Sequence, residues 1–121
     1  IYAAGYSQGS IAMFERDGNT GALTFMDALR DGVNGIDGLD GASSVTVSPD
    51  GAFVYVAGQA DNAIAVFARD GGTGVLSFVE SIFDGLNGVD GLGGAKSITI
   101  STEGAHVYAA GYLDHSIAVF A

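Results

Sequence analysis

The sequence predicts an all-β fold built from four-stranded antiparallel meanders that repeat every 53 residues, and three observations carry that prediction. Shifting the chain by 53 lays residues 1–68 over residues 54–121 with 37 of 68 pairs identical and no insertion, the mark of a duplicated supersecondary unit. Inside each unit apolar residues recur with a period of two, the period of a strand. Between the alternating runs lie clusters of Gly, Asp, Asn and Ser with the single Pro, residues that supply the backbone angles of tight turns.

Taken in order, the first strand of a unit is Val45 and Val47 set among Ser44, Thr46 and Ser48. The second alternates Val54 and Val56 with Phe53 and Tyr55, and the third alternates Ile64 and Val66 with Ala65 and Phe67. The fourth sets Leu76 and Phe78 among Val75, Ser77 and Val79. Turns fall at residues 48–51, 61–62 and 70–74, each rich in residues that tolerate positive φ. Replacements between copies keep the chemistry: Val45 and Val47 become Ile98 and Ile100, Ile36 becomes Val89, and Asp50 becomes Glu103.

A meander of this length buries neither face alone. Stacking copies around an axis as β-propeller blades solves that, with a linear β array as the alternative. Small residues at the start of the first strand, Ala42, Ser43 and Ser44 with counterparts Ala95, Lys96 and Ser97, suit the crowded innermost position. On this frame residues 1–121 are one repeat region. Residues 1–41 form a partial blade of strands two to four plus a Gly/Asp loop, 42–94 a complete blade plus its loop, and 95–121 a partial blade of strands one to three. A closed propeller takes about four to eight blades, so the region is incomplete in itself. The expectation is a segment of a longer propeller or array, or copies that complete one another. Joining the two ends would duplicate middle strands, which favours the longer chain or a head-to-tail array.

Composition limits the partners. Fourteen acidic residues face only Arg16, Arg30, Arg69 and Lys96, for a net charge of −10, which repels nucleic acid and anionic membrane surfaces. No run approaches the roughly 18 apolar residues of a membrane helix, so membrane insertion is not expected. The absence of cysteine excludes disulfides and thiolate metal sites. Ile1 has no basic or apolar leader behind it, so a signal peptide is expected to be removed or to lie outside this sequence. The acid excess with a single lysine points to an extracellular or cell-surface setting.

The stretch 48–51 followed by Val54, Tyr55, Val56 and Ala57, then Asp61, Asn62, Ile64, Val66 and Phe67, then Arg69, Asp70, Thr73, Gly74, Leu76 and Phe78 resembles the YVTN-type β-propeller repeat. That repeat occurs in bacterial surface proteins and in lactonase-like (6-phosphogluconolactonase-like) propellers. The resemblance covers essentially the whole chain. It implies the propeller fold, and one fold of this kind hosts enzymes, binders and scaffolds alike.

Residues 31–41 and their copy 84–94 carry glycine at every third position: 32, 35, 38 and 41, then 85, 88, 91 and 94. A period of three predicts an extended polyproline-II or polyglycine-type helix with a glycine face open to another backbone; it also fits a 3₁₀ turn, although glycine disfavours a long 3₁₀ run. Val33, Ile36 and Leu39, or Leu86, Val89 and Leu92, would make an apolar face. Asn and Asp side chains make the third face, and with glycine-freed carbonyls they are the hard oxygens that Ca²⁺ takes. The candidate ligands are Asp31, Asn34, Asp37 and Asp40, with Asp84, Asn87 and Asp90 in the second copy; Gly93 stands where Asp40 would recur. The competing reading is a loop whose acids face solvent or backbone donors. No other cofactor is expected.

His106 and His115 align with Phe53 and Asn62, so neither belongs to a site built by the repeat. The run Asp114, His115, Ser116 holds triad residue types, but adjacent residues cannot form the oriented chain a triad needs. Recurrent Tyr2, Tyr55 and Tyr108 and recurrent Phe14, Phe67 and Phe120 predict blade-to-blade packing ahead of a sugar-binding stack. Arg16–Asp17 and Arg69–Asp70 repeat at a turn and could pair locally or across blades.

No catalytic residues emerge. Repeated, equivalent surfaces and open strand edges predict a non-enzymatic structural or interaction module for assembly, adhesion or display, partnered by further copies of itself or further repeats, even as a filament. The alternatives are a lactonase-like hydrolase, implied by the resemblance, and a propeller that binds sugar or matrix.

Overall fold

The computed structural model describes residues 1–121, which form ten strands and no helix. Strands β1 (Tyr2–Gly5), β2 (Ser10–Arg16) and β3 (Leu23–Arg30) make one sheet. Strands β4 (Ala42–Val47), β5 (Phe53–Gly58), β6 (Ala63–Arg69) and β7 (Leu76–Phe83) make the second, and β8 (Ala95–Ile100), β9 (Val107–Gly111) and β10 (Ser116–Phe120) the third. Every pairing joins consecutive strands antiparallel. Each sheet is therefore a meander, and the three are propeller-like blades of a larger, incomplete ring.

Turn chemistry fixes the register. In the β6–β7 hairpin Asp70 Oδ1 accepts the N–H groups of Gly72 and Thr73 at 2.9 and 2.7 Å. Asp17 does the same for Asn19 and Thr20 in the β2–β3 hairpin. Between β4 and β5 the Ser48 hydroxyl donates to Asp50 Oδ1 at 2.5 Å and accepts the Phe53 N–H at 3.0 Å. These bonds hold all three carboxyls below the usual aspartate range, led by the Thr20 amide at Asp17, the Ser48 hydroxyl at Asp50 and the Thr73 amide at Asp70.

The middle sheet is apolar on both sides. Val54, Val56, Ala65 and Phe67 face the first sheet, where they join Ile11, Met13 and Leu39 in one core. Tyr55, Ala57, Ile64 and Val66 face the third, where they meet Leu92, Ile98 and Ala118. Phe67 is buried in the core shared with the first sheet, and within its own sheet it packs edge-on to its β7 partner Phe78 with centroids 5.7 Å apart; Tyr2 and Tyr55 pack against the two inter-sheet cores, whereas Tyr108 is exposed. Where a sheet lacks a neighbour the same positions are bare: Ile64 is 1% exposed and its copy Ile117 69%, while Leu76 is 5% exposed and its copy Leu23 52%.

Side-chain hydrogen bonds cross between the blades. The Tyr2 hydroxyl donates to the Gly74 carbonyl at 2.6 Å and accepts from Arg69 Nε at 2.9 Å, while Arg69 Nη1 donates to the Gly51 carbonyl at 3.0 Å. The Arg69–Asp70 and Arg16–Asp17 pairs that the sequence allows do not form; the one acid–base contact is His106 Nδ1 to Glu103 Oε1 at 3.6 Å. On the axial side Ser43 and Ser44 of β4 bond to the backbone of β8, through the Lys96 carbonyl at 2.9 Å and the Ile98 N–H at 3.2 Å.

Residues 31–41 and 84–94 differ from expectation. Gly32, Gly35, Gly38 and Gly41 have φ of 73, 78, 88 and 66°, and Asn34 has 53°, a left-handed region that a polyproline-II helix, at φ of about −75°, does not visit. The segment is a chain of tight turns, closed by bonds such as Ile36 N–H to the Val33 carbonyl at 3.1 Å. Glycine is required at the first positions for the sign of φ, since nothing lies within 4 Å of a Cβ at Gly32 or Gly35. The apolar face is partial: Ile36, Leu39 and Leu92 are buried, whereas Val33 and Leu86 are exposed.

Backbone approaches closely at Gly41, where a Cβ would lie 2.7 Å from the Ala60 nitrogen, and at Gly58 and its copy Gly111, where a Cβ would overlap the carbonyls of Gly38 and Gly91. Gly58→Ala is expected to destabilise the fold by about 3 kcal/mol, as overpacking against backbone does. Gly71→Ala, in open space, should stay within about 0.5 kcal/mol of wild type. Urea unfolding of both variants checks the contrast.

Candidate functional site

One end of the blades gathers the polar residues that the repeat multiplies. The 31–41 turn chain runs from β3 to β4 and is strapped to the β5–β6 turn: Gln59 N–H reaches the Gly41 carbonyl at 3.0 Å and Ala60 N–H the Asp40 carbonyl at 3.1 Å. The second copy repeats the arrangement, with Tyr112 and Leu113 N–H bonded to the Gly94 and Gly93 carbonyls at 3.1 and 2.9 Å.

Carboxylate oxygens of Asp31, Asp37 and Asp61 come within 4.8 Å of one another, and those of Asp84, Asp90 and Asp114 do the same. Four of the seven nominated residues therefore take part. Asp40 lies outside the cluster and offers its N–H to Asp61 Oδ2 at 2.9 Å, so its replacement by Gly93 leaves the second copy with as many carboxylates as the first. Asn34 and Asn87 are exposed, with φ of 53°, and serve as left-handed turn residues. Asp61 and Asp114 were missed because they lie on a different turn, although both recur at the repeat spacing.

Backbone donors already engage these acids. Asp31 Oδ1 accepts the Leu39 N–H at 3.0 Å and Asp84 Oδ1 the Leu92 N–H at 3.0 Å. Asp114 Oδ2 accepts the Gly93 N–H at 2.7 Å and Asp37 Oδ1 the Gly38 N–H at 2.9 Å. The arrangement clamps the loop through Asp31 and Asp61, and it supplies part of the six to eight oxygens that a Ca²⁺ ion takes. Burial, and then the charges of Asp31, Asp40 and Asp37, push the Asp61 carboxyl above the usual range despite the Asp40 N–H bond.

Neither histidine joins the clusters. His115 sits exposed at φ 52°, matching Asn62 at 53°, and Ser116 gives its hydroxyl to the Gly91 carbonyl at 3.2 Å. A residue that sequence reasoning passed over is Lys96: its ammonium lies 5.3 Å from the centroid of the Tyr112 ring. Clefts of about 500 and 640 Å³ open beside Ile1, Tyr2 and Arg69. They run from the first sheet to the β6–β7 turn and to β4 with the β4–β5 turn, and hold none of the clustered acids.

Meander blades packed face to face define a β-propeller protein. The chain belongs to the family described as "Lactonase, 7-bladed beta-propeller", which matches residues 1–121. Among solved structures, the periplasmic gluconolactonase of Pseudomonas aeruginosa superimposes with a TM-score of 0.78 at 28% identity, over 99% of this chain and 31% of that one. A candidate 6-phosphogluconolactonase of Bacteroides fragilis gives 0.77 at 22% identity, over 98% and 30%. A functionally unknown protein of Desulfotomaculum acetoxidans gives 0.73 at 24%, over 98% and 35%. The chain thus spans about a third of the length of these structures. No curated protein gives a sequence match.

Because the folded state holds the Asp61 proton more tightly than the unfolded chain does, its contribution to stability is full below the ordinary aspartate pKa. That contribution is lost as pH rises through the raised folded value. Asp61→Asn keeps an acceptor for the Asp40 N–H and removes the charge. In chelator it should melt above wild type at pH 7, with the gap closing as pH falls below the ordinary aspartate pKa; thermal melts across that range measure it. Repeating the pH 7 melts in millimolar Ca²⁺ tests the metal expectation: a wild-type melting temperature identical in Ca²⁺ and chelator removes calcium from this loop.

Proposed function

We propose that this chain supplies blades to a lactonase-type propeller that opens the ring ester of a sugar lactone. The observation that carries the reading is the family match over the whole of residues 1–121, which puts it ahead of the non-enzymatic module expected from the sequence. The reaction adds water to the ring carbonyl, breaks the bond to the ring oxygen and returns a hydroxy acid. It needs a polar mouth where a carbonyl oxygen meets a donor and water meets an acceptor. The loop end supports this role, since carboxylates and the single lysine gather there. The setting proposed is outside the cytoplasm, supported by the acid-rich composition and by the periplasmic compartment of the Pseudomonas relative. The purified full-length protein should open glucono-1,5-lactone faster than buffer alone in a pH-stat assay; a rate equal to the spontaneous one removes the hydrolase reading.

A second reading, assembly through the blade faces, is favoured by the bare Ile117, Val119, Leu23 and Phe25, whose copies lie inside the blade interfaces. Here the occupant is a further blade, from the same polypeptide or from another copy. Light scattering on the 121-residue chain should give a mass above the 12.1 kDa monomer, whereas a stable monomer discards self-assembly.

A further inference from the structure

Lys96 is the one lysine of the chain, and its copy in the preceding blade is Ser43. At the position of Tyr112 the middle blade carries Gln59 and the first blade Tyr6, so a lysine and a tyrosine at these two positions occur together only in the third blade. The two side chains meet, the ammonium standing 5.3 Å from the ring centroid, within the range of a cation–π contact. Both side chains are exposed, Tyr112 at 61%.

The backbone presents them. Ala95 pairs with Gly111 and Ser97 with Ala110, so Lys96 is the extra residue of a β-bulge; Ser43 occupies the same bulge in β4. A bulge takes a residue out of the ladder and re-aims its side chain. The Ser43 hydroxyl holds the Lys96 carbonyl at 2.9 Å, and Gly94 holds the Tyr112 N–H at 3.1 Å. β4 and β8 are the first strands of their sheets and are bonded to each other through Ser43 and Ser44, which puts Lys96 on the inner, axial side of a propeller. In a chain with 14 acidic residues it forms no ion pair, which leaves its three N–H donors free of carboxylate partners.

We propose that Lys96 and Tyr112 form a ligand-contacting pair at the loop end of the propeller axis. The ligand class is a polyhydroxylated ring or chain bearing an sp² oxygen, as in a sugar lactone or its ring-opened acid, and this choice of class rests on the lactonase reading. The tyrosine ring offers a flat apolar surface to the C–H face of the sugar. The ammonium donates a charge-assisted hydrogen bond to the carbonyl or carboxylate oxygen. A net charge of −10 repels polyanions, which selects for a neutral lactone or a single carboxylate.

The repeat itself supplies the test variants, because Ser43 and Gln59 occupy the equivalent positions in the preceding blade. Lys96→Ser and Tyr112→Gln in the full-length protein should melt with wild type. Calorimetric titration with D-gluconate should show Lys96→Ser weakening binding about tenfold or more, the loss expected for one hydrogen bond to a charged group. Tyr112→Gln should weaken it less, and sorbitol, which lacks the sp² oxygen, should bind no better to wild type than to Lys96→Ser. Initial rates on glucono-1,5-lactone separate the sources: a KM raised by Lys96→Ser assigns the neutral carbonyl, and an unchanged KM with weakened gluconate assigns the carboxylate. Gluconate affinity and lactone KM both unchanged in Lys96→Ser overturn the proposal, even if the protein hydrolyses lactones. Lysine-dependent gluconate binding without hydrolysis sustains it and overturns the hydrolase reading alone.

Discussion

A sheet that is apolar on both faces cannot be stable as a surface layer, and that constraint organises this molecule. Along β5 and β6 successive side chains point alternately toward the first and the third sheet, and both sets are apolar. Burying one large aliphatic side chain contributes about 1.5–3 kcal/mol, so each meander gains most of its stability from its neighbours. The contrast between Ile64 and Ile117 measures the effect: the same residue in the same strand position goes from sealed to bare when the neighbouring sheet is missing. Stability in such an array is a property of interfaces between units more than of units themselves.

The turn chains at the loop end finish what the sheets begin. Leu39 and Leu92 are fully buried and plug the ends of the two cores. Their backbone N–H groups would be stranded there without the Asp31 and Asp84 carboxylates that accept them. The acids therefore have a structural duty whatever else they bind. The elevated Asp61 carboxyl shows the tension in that duty: anchoring the Asp40 N–H brings it among like charges and away from water.

Strands, sheet composition and blade packing were legible in the sequence because alternation is a local signal and the repeat states it twice. The turn chain was not, because glycine spacing reports where small residues fall and says nothing about the sign of φ. The acid clusters were half legible. Asp31 and Asp37 share one segment, whereas Asp61 reaches them only through the strapping of the β5–β6 turn. Arg69 was read beside its neighbour Asp70, whose carboxylate instead serves the hairpin through Gly72 and Thr73. That leaves the guanidinium to bridge to Tyr2, far away in the chain, a contact that only the packed blades create.

The bulge that begins β4 and β8 has a consequence for how duplicated blades diverge. Residues locked in a ladder or sealed in a core answer to two or more neighbours, and most exchanges there unsettle the fold. An unpaired bulge residue has no ladder partner to match: Ser43 spends its hydroxyl on the next blade's Lys96 carbonyl while Lys96 sets its ammonium near Tyr112, so serine in one blade and lysine in the next are carried by the same framework. A ring of near-identical blades thereby holds one variable letter per blade around its axis, and symmetry in the scaffold becomes compatible with asymmetry in what it recognises.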